Sequence, residues 1–197
     1  MPPEVLSRDD FAEFRPLMFS IAYRMTGSVS DAEDIVQEAF LRAGKDAAKQ
    51  IRKLEKKLGT LPLSLRAFYE VVGSIDLMGQ HRSLAPRRGS ISPDPLVVFS
   101  IEDALADAEE MGEDDESGHI FIAPDEIHKA GESGGEPYEI AVPDERADGE
   151  LLNERHGIFF IEYLRMAFRF GGFPGYEGYD RDVPQEIESL RTGLLEF

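Results

Sequence analysis

The chain has 197 residues, 42% of them hydrophobic, with 21 basic and 39 acidic side chains, a formal net charge of −18 and no cysteine. The missing cysteine excludes disulfides, thiolate metal sites and a cysteine nucleophile. Residues 1–58 balance ten basic against ten acidic side chains, so the whole excess falls on residues 59–197. That acidity opposes phosphate-backbone binding there and favours basic protein partners or plain solubility. A chain this long holds one domain, or a domain plus an appendage. The start, MPPEVLSRDD, has no basic n-region and no apolar run, so a secretory leader is not expected. No apolar stretch approaches the roughly 18 residues of a membrane span, and a cytoplasmic location is the expectation.

Residues 9–26 read as a helix, because Phe11, Phe14, Met18, Ile21, Ala22 and Met25 recur at helical spacing. Pro16 starts or kinks it, and Gly27 can end it. Residues 27–30 then turn the chain. Ser30 stands three residues before Glu33, the spacing of a capping box, so a second helix is expected from there to Ala43. Ala32, Val36, Ala39, Phe40 and Ala43 fall on one face; Asp34, Gln37, Glu38 and Leu41 fall on the other. The first face suits burial in a helical hairpin. The second offers two carboxylates, an amide and one leucine to a basic, partly apolar partner.

The run GSVSDAEDIVQEAFLRA, with FRPLMFSIAYRM before it, resembles region 2 of sigma-70-type bacterial transcription factors, especially the short extracytoplasmic-function class. The resemblance covers about residues 9 to 43. It implies that the D-x-x-Q-E pattern at Asp34, Gln37 and Glu38, with Leu41 beside it, grips the coiled coil of the RNA polymerase β′ subunit. A working region 2 continues into a basic, aromatic helix that holds the unstacked promoter strand. Here the continuation GKDAAKQIRKLEKKLG has no aromatic residue, and no basic helix-turn-helix follows. The resemblance therefore implies polymerase binding without promoter reading, and direct DNA binding is not expected without the missing regions.

Residues 45–58 form the next expected helix, with Ala47, Ala48, Ile51, Leu54 and Leu58 as its apolar stripe. Arg52, Lys53, Lys56 and Lys57 read as its solvated face. In GTLPLSLRAFYEVVGSIDLMG, Pro62 and Ser64 introduce a short helix with Leu65, Phe68, Tyr69 and Val72 available for burial; Gly73 ends it and 75–78 can form a strand. This order, with SGGEPYEIAVPD and FIEYLRMAFRFGGFPG later, resembles the SUKH superfamily over about residues 46–197. That resemblance implies an immunity-type or regulatory binder of a basic toxin or partner.

Residues 80–95 read as a loop, 96–99 as a buried strand and 101–111 as an acidic helix with Leu105 and Ala108 inward. Residues 112–118 form a charged loop. Strands follow at 119–123 and 138–142, with more than a tight turn between them. Residues 158–170 read as a helix with Phe160, Ile161, Leu164 and Phe168 on one stripe, stopped by Gly171 and Gly172; a terminal helix follows Pro184. The expectation is an α+β fold: an N-terminal helical hairpin over 1–44, then an acidic α+β domain over 45–197 with a small, mostly antiparallel sheet of about four strands flanked by helices.

Catalytic signals are weak. Gly131-Glu132-Ser133-Gly134-Gly135 fits G-x-S-x-G, but that motif needs a strand before it and a helix after it, whereas Pro137 and a β-rich run follow. The Phe170–Gly175 glycines follow a helix, whose free carbonyls disfavour phosphate. His81, His119, His128 and His156 lack metal-ligand spacing. No catalytic, cofactor-binding or metal-binding residue is expected. A non-enzymatic binding protein is.

Overall fold

The computed structural model describes residues 29–30, 33, 47–78, 93–110, 118–177, 185 and 187–188. It is an α+β fold. In order come α1 (Ala47–Leu58), α2 (Leu63–Val71), β1 (Ile75–Asp76), β2 (Val97–Val98), α3 (Ile101–Glu110), β3 (His119–Ala123), α4 (Glu126–Lys129), β4 (Tyr138–Ala141), α5 (Phe160–Arg169) and a 3-10 turn, Pro174–Tyr176.

The four strands do not form one sheet. Among the described residues they make two antiparallel pairs, β1–β2 and β3–β4. In the first, Ile75 faces Val98; in the second, Ile120 faces Ile140, and the ladder is irregular between Phe121 and Ala123. The pairs are stitched by single contacts. Phe99 N–H, just past β2, donates to the Ile122 carbonyl of β3 (2.8 Å); separately, Leu152 of the following loop bridges to Glu139 of β4. Strands of two residues cannot sustain a wide ladder, so side-chain packing carries the join.

One core gathers the elements from α1 to α5, the short α4 excepted. Ile51, Leu54, Leu65, Leu96, Ile120, Ile122, Ile140 and Leu151 are fully buried. The stripe expected on α1 is there: Ala47, Ile51 and Leu54 are buried, with α1 packed against α3 and α2. On α2, Leu65, Phe68 and Tyr69 are buried, but Val72 is 38% exposed because it lies past the last turn, at the C-cap. Phe68 meets the edges of Tyr69 and Phe160.

Local chemistry explains the helix starts. Ser100 and Asp103 form a reciprocal box at α3: Ser100 Oγ accepts from Asp103 N–H, and Asp103 Oδ2 accepts from Ser100 N–H. Ile101, Ala104 and Ala108 then point inward, and Leu105 is half-buried. Asp148 serves two helices at once. Its carboxylate accepts from Ser64 Oγ on α2 (2.6 Å) and from Ile161 N–H in the first turn of α5 (3.2 Å).

The buried stripe of α5 is rotated from the expected one. Phe160 is buried as expected, but Tyr163, Met166 and Ala167 join it, while Ile161, Leu164 and Phe168 are half-buried. Tyr163 turns inward because Tyr138 meets it edge-on and a buried cation engages its hydroxyl. Gly171 and Gly172 end the helix at positive φ. A smaller apolar cluster unites Tyr176 with Ile187, and Phe170 and Phe173 lean on it. No described helix is long and apolar enough to cross a membrane.

Candidate functional site

Asp34, Gln37, Glu38 and Leu41 lie outside the described residues. So do the proposed first helix, the 80–92 loop with His81, and most of the 112–118 loop. Beside that face, Val29 and Ser30 are already helical, and so is Glu33; all three are exposed. Ser30 therefore sits inside the helix and is not its N-cap. The chain is thus helical by Val29, earlier than the Ser30–Glu33 spacing implied. Val29, 56% exposed, adds an apolar side chain to this helical stretch.

The described polar groups form three sets, none of them found by the sequence reading. The first is a buried cation. Lys129, the last residue of α4, has a fully buried side chain; its Nζ lies 2.8 Å from Asp94 Oδ1 and 3.3 Å from the Tyr163 hydroxyl. It also sits 5.1 Å from the Tyr138 ring centroid and 5.9 Å from that of Tyr163. Burial, then the nearby Asp94 carboxylate, pushes both phenols well above their ordinary range. Both therefore stay neutral around the ion pair. This cage joins the segment before β2, α4, β4 and α5 around a fully buried lysine side chain.

The second set lines a cleft of about 290 Å³ between Asp125, Glu126, Ile127, Gly135, Glu136, Tyr138, Asn153 and Arg155. Asp125 caps α4: its Oδ1 accepts from the Ile127 and His128 N–H groups, and its Oδ2 meets His128 Nδ1. Burial pushes its pKa up, but the hydrogen bonds from His128 and from the two amides outweigh that and hold the carboxyl below its usual range. A β-carbon at Gly135 would fall on that carboxylate. The last glycine of the G-x-S-x-G run is thus required by a helix cap. Ser133 lies in the loop after α4 and before β4, and no hydrogen bond joins it to His128 among the described residues. The Asp–His pair is a local cap at i, i+3. Arg155 and Glu126, both lining the cleft, form an exposed 3.0 Å ion pair.

The third set braces loops. His156 Nδ1 meets Glu154 (2.6 Å) and its Nε2 meets Glu177 (2.7 Å), tying the loop before α5 to the end of the 3-10 turn. Asp144 takes two hydrogen bonds from the Arg146 guanidinium and one from its N–H. Those bonds outweigh burial and hold Asp144 below the usual carboxylate range. Arg146 in turn lies over the half-exposed Phe159 ring. Among the described residues, no cluster of three or more His, Asp or Glu side chains is arranged to hold a metal ion.

Residues 11–57 match the family Sigma-70 region 2. Over 33 residues the chain is 61% identical to the ECF RNA polymerase sigma factor SigJ of Mycobacterium tuberculosis (strain ATCC 25618 / H37Rv). That stretch is 17% of this chain and 11% of the sigma factor, so the chain spans a small part of the relative it matches. No solved structure matches the chain. The family match extends past Ala43 and ends inside α1. Its last residues are therefore the same ones whose apolar side chains, Ile51 and Leu54, are fully buried in the α+β core.

Proposed function

We propose that the chain is a non-enzymatic, cytoplasmic binding protein linked to transcription. Its N-terminal segment, residues 1–44, acts as a sigma-like hairpin, and its α+β domain, from residue 45 on, acts as an acidic protein-interaction module. The single observation that carries this reading is the match of residues 11–57 to Sigma-70 region 2, supported by 61% identity over 33 residues to a sigma factor. Helical periodicity then assigns the contact: Asp34, Gln37, Glu38 and Leu41 share the face opposite the apolar stripe. Two carboxylates and an amide there suit the basic coiled coil of the polymerase β′ subunit, where charge-assisted hydrogen bonds give specificity. Promoter reading is not part of the proposal, because the continuation GKDAAKQIRKLEKKLG has no aromatic residue to stack on an unpaired base. The test is a pull-down with purified β′ coiled coil. Wild-type chain is retained, and a Gln37→Ala/Glu38→Ala variant is lost; equal retention of both removes the reading.

A second reading keeps the α+β domain and treats the N-terminal segment as a fused remnant. It rests on the resemblance of residues 46–197 to the SUKH superfamily and on the acidity of that part of the chain. In it, the domain neutralises a basic toxin. Affinity for such a toxin that does not change with salt counts against an electrostatic interface of this kind.

A further inference from the structure

The surface formed by α1 and α3 carries two stripes of opposite charge. On α1, Lys49, Arg52, Lys53, Lys56 and Lys57 are all exposed. Their spacing of i, i+3, i+4, i+7 and i+8 puts them on one face. Glu55, the helix's lone acid, turns away to pair with Arg66 of α2. Among the described residues none of the five cations has an ion-pair partner. On α3, Glu102, Asp103, Glu109 and Glu110 are exposed around an exposed Ala106, again on one face. These carboxylates crowd one another. Asp107 beside them is pushed above its ordinary range, by burial first and then by Asp103 and Glu110.

The two helices lie side by side, joined by a 2.9 Å hydrogen bond from Gln50 to Glu102, and both lean their buried stripes on the same core. Their outward faces are thus neighbours. Each stripe spans nine residues of helix, eight steps or about 12 Å at the α-helical rise. A nucleic acid is a poor occupant, because the α3 carboxylates flank the basic stripe and the whole chain is strongly acidic. The partner that carries both stripes, at equal length and in the right adjacency, is a second copy.

We propose that the α1–α3 face is the interface of an electrostatic homodimer, with α1 of one copy lying on α3 of the other. A two-fold axis between the helices makes both contacts at once, because an isologous patch must complement itself. Ala106 leaves room at the centre for close approach. The dimer is weak and sensitive to salt, as exposed ion pairs are.

The experiment is sedimentation velocity on the full chain. Dimer is expected at about 50 mM salt, with its dissociation constant at least about tenfold weaker at about 500 mM. A triple variant, Arg52→Glu/Lys53→Glu/Lys56→Glu, and a second, Glu102→Lys/Glu109→Lys/Glu110→Lys, are each expected to be monomeric. Mixed one to one, they are expected to form a heterodimer, because each reversed stripe now meets its complement. A wild type that stays monomeric at low salt and high concentration overturns the proposal. So does a dimer that either variant retains, or binding of duplex DNA by the wild type in place of self-association.

Discussion

Lys129→Met removes the one cation of the buried cage and leaves the Asp94 carboxylate facing two aromatic rings. Asp94 is itself almost fully buried, and Lys129 Nζ at 2.8 Å is the cation that faces it. Breaking a buried pair on one side costs about 3–5 kcal/mol, since the remaining charge keeps its desolvation penalty. With a urea slope of about 2 kcal/mol/M for a domain of this size, the midpoint should fall by about 1.5–2.5 M. Asp94→Asn should fall in the same range, because it strands the lysine; asparagine tolerates the left-handed backbone that Asp94 adopts at φ 43°, so backbone strain does not confuse the comparison. The double variant Lys129→Met/Asp94→Asn should recover most of the loss, since no unpaired charge remains. Urea denaturation of the four proteins, followed by far-UV circular dichroism, gives the cycle. Single variants within about 1 kcal/mol of wild type, or a double variant that costs the sum of the two, would refute a buried, mutually dependent pair.

Other expectations follow from the core and the caps. Leu54→Ala should cost about 2–5 kcal/mol in the same assay, because Leu54 is fully buried where α1 meets the core; a cost near zero would mean α1 is not part of that core. Gly135→Ala should cost about 1–2 kcal/mol through displacement of the Asp125 cap, and Ser133→Ala close to nothing, since Ser133 is exposed. Folding lowers the pKa of both Asp125 and Asp144. Their contributions are therefore complete above the unfolded carboxylate range and disappear as pH falls through the lowered values. Asp125→Asn should flatten the acid limb of a pH–stability profile below about pH 4, and an unchanged limb would count against the cap.

Most of the α+β architecture is legible in the residues. Ile51 and Leu54 on α1, Leu65 and Phe68 on α2, and the alternation in HIFIA and YEIAV each repeat at the period of their element. What escapes is what depends on distant partners. The inward turn of Tyr163 requires Tyr138 and Lys129, and neither lies within reach of helical periodicity on α5. The four-residue helix α4 is too short to show a period; its only signal is Asp125, a capping residue followed by Glu126. Asp94 lies between two prolines in a segment that reads as loop, so nothing local marks it as the partner of a lysine 35 residues away. Asp148 likewise bonds helices on either side of it in the chain, through the Ser64 hydroxyl of α2 and the Ile161 N–H of α5. The start of the second helix misreads because Ser30 and Glu33 have capping-box spacing, yet both are helical. The face of Asp34, Gln37, Glu38 and Leu41 rests on sequence periodicity and on the family match, not on described geometry.

The most direct measurement of the central claim is competition on polymerase core enzyme. A fluorescent sigma factor is bound to core, and increasing amounts of this chain are added while anisotropy is read. Wild-type chain is expected to displace the sigma factor, and Gln37→Ala/Glu38→Ala to do so at least about tenfold more weakly, as for loss of a charge-assisted hydrogen bond. Undiminished anisotropy with both proteins on the same core enzyme, or equal displacement by the variant, would contradict that claim.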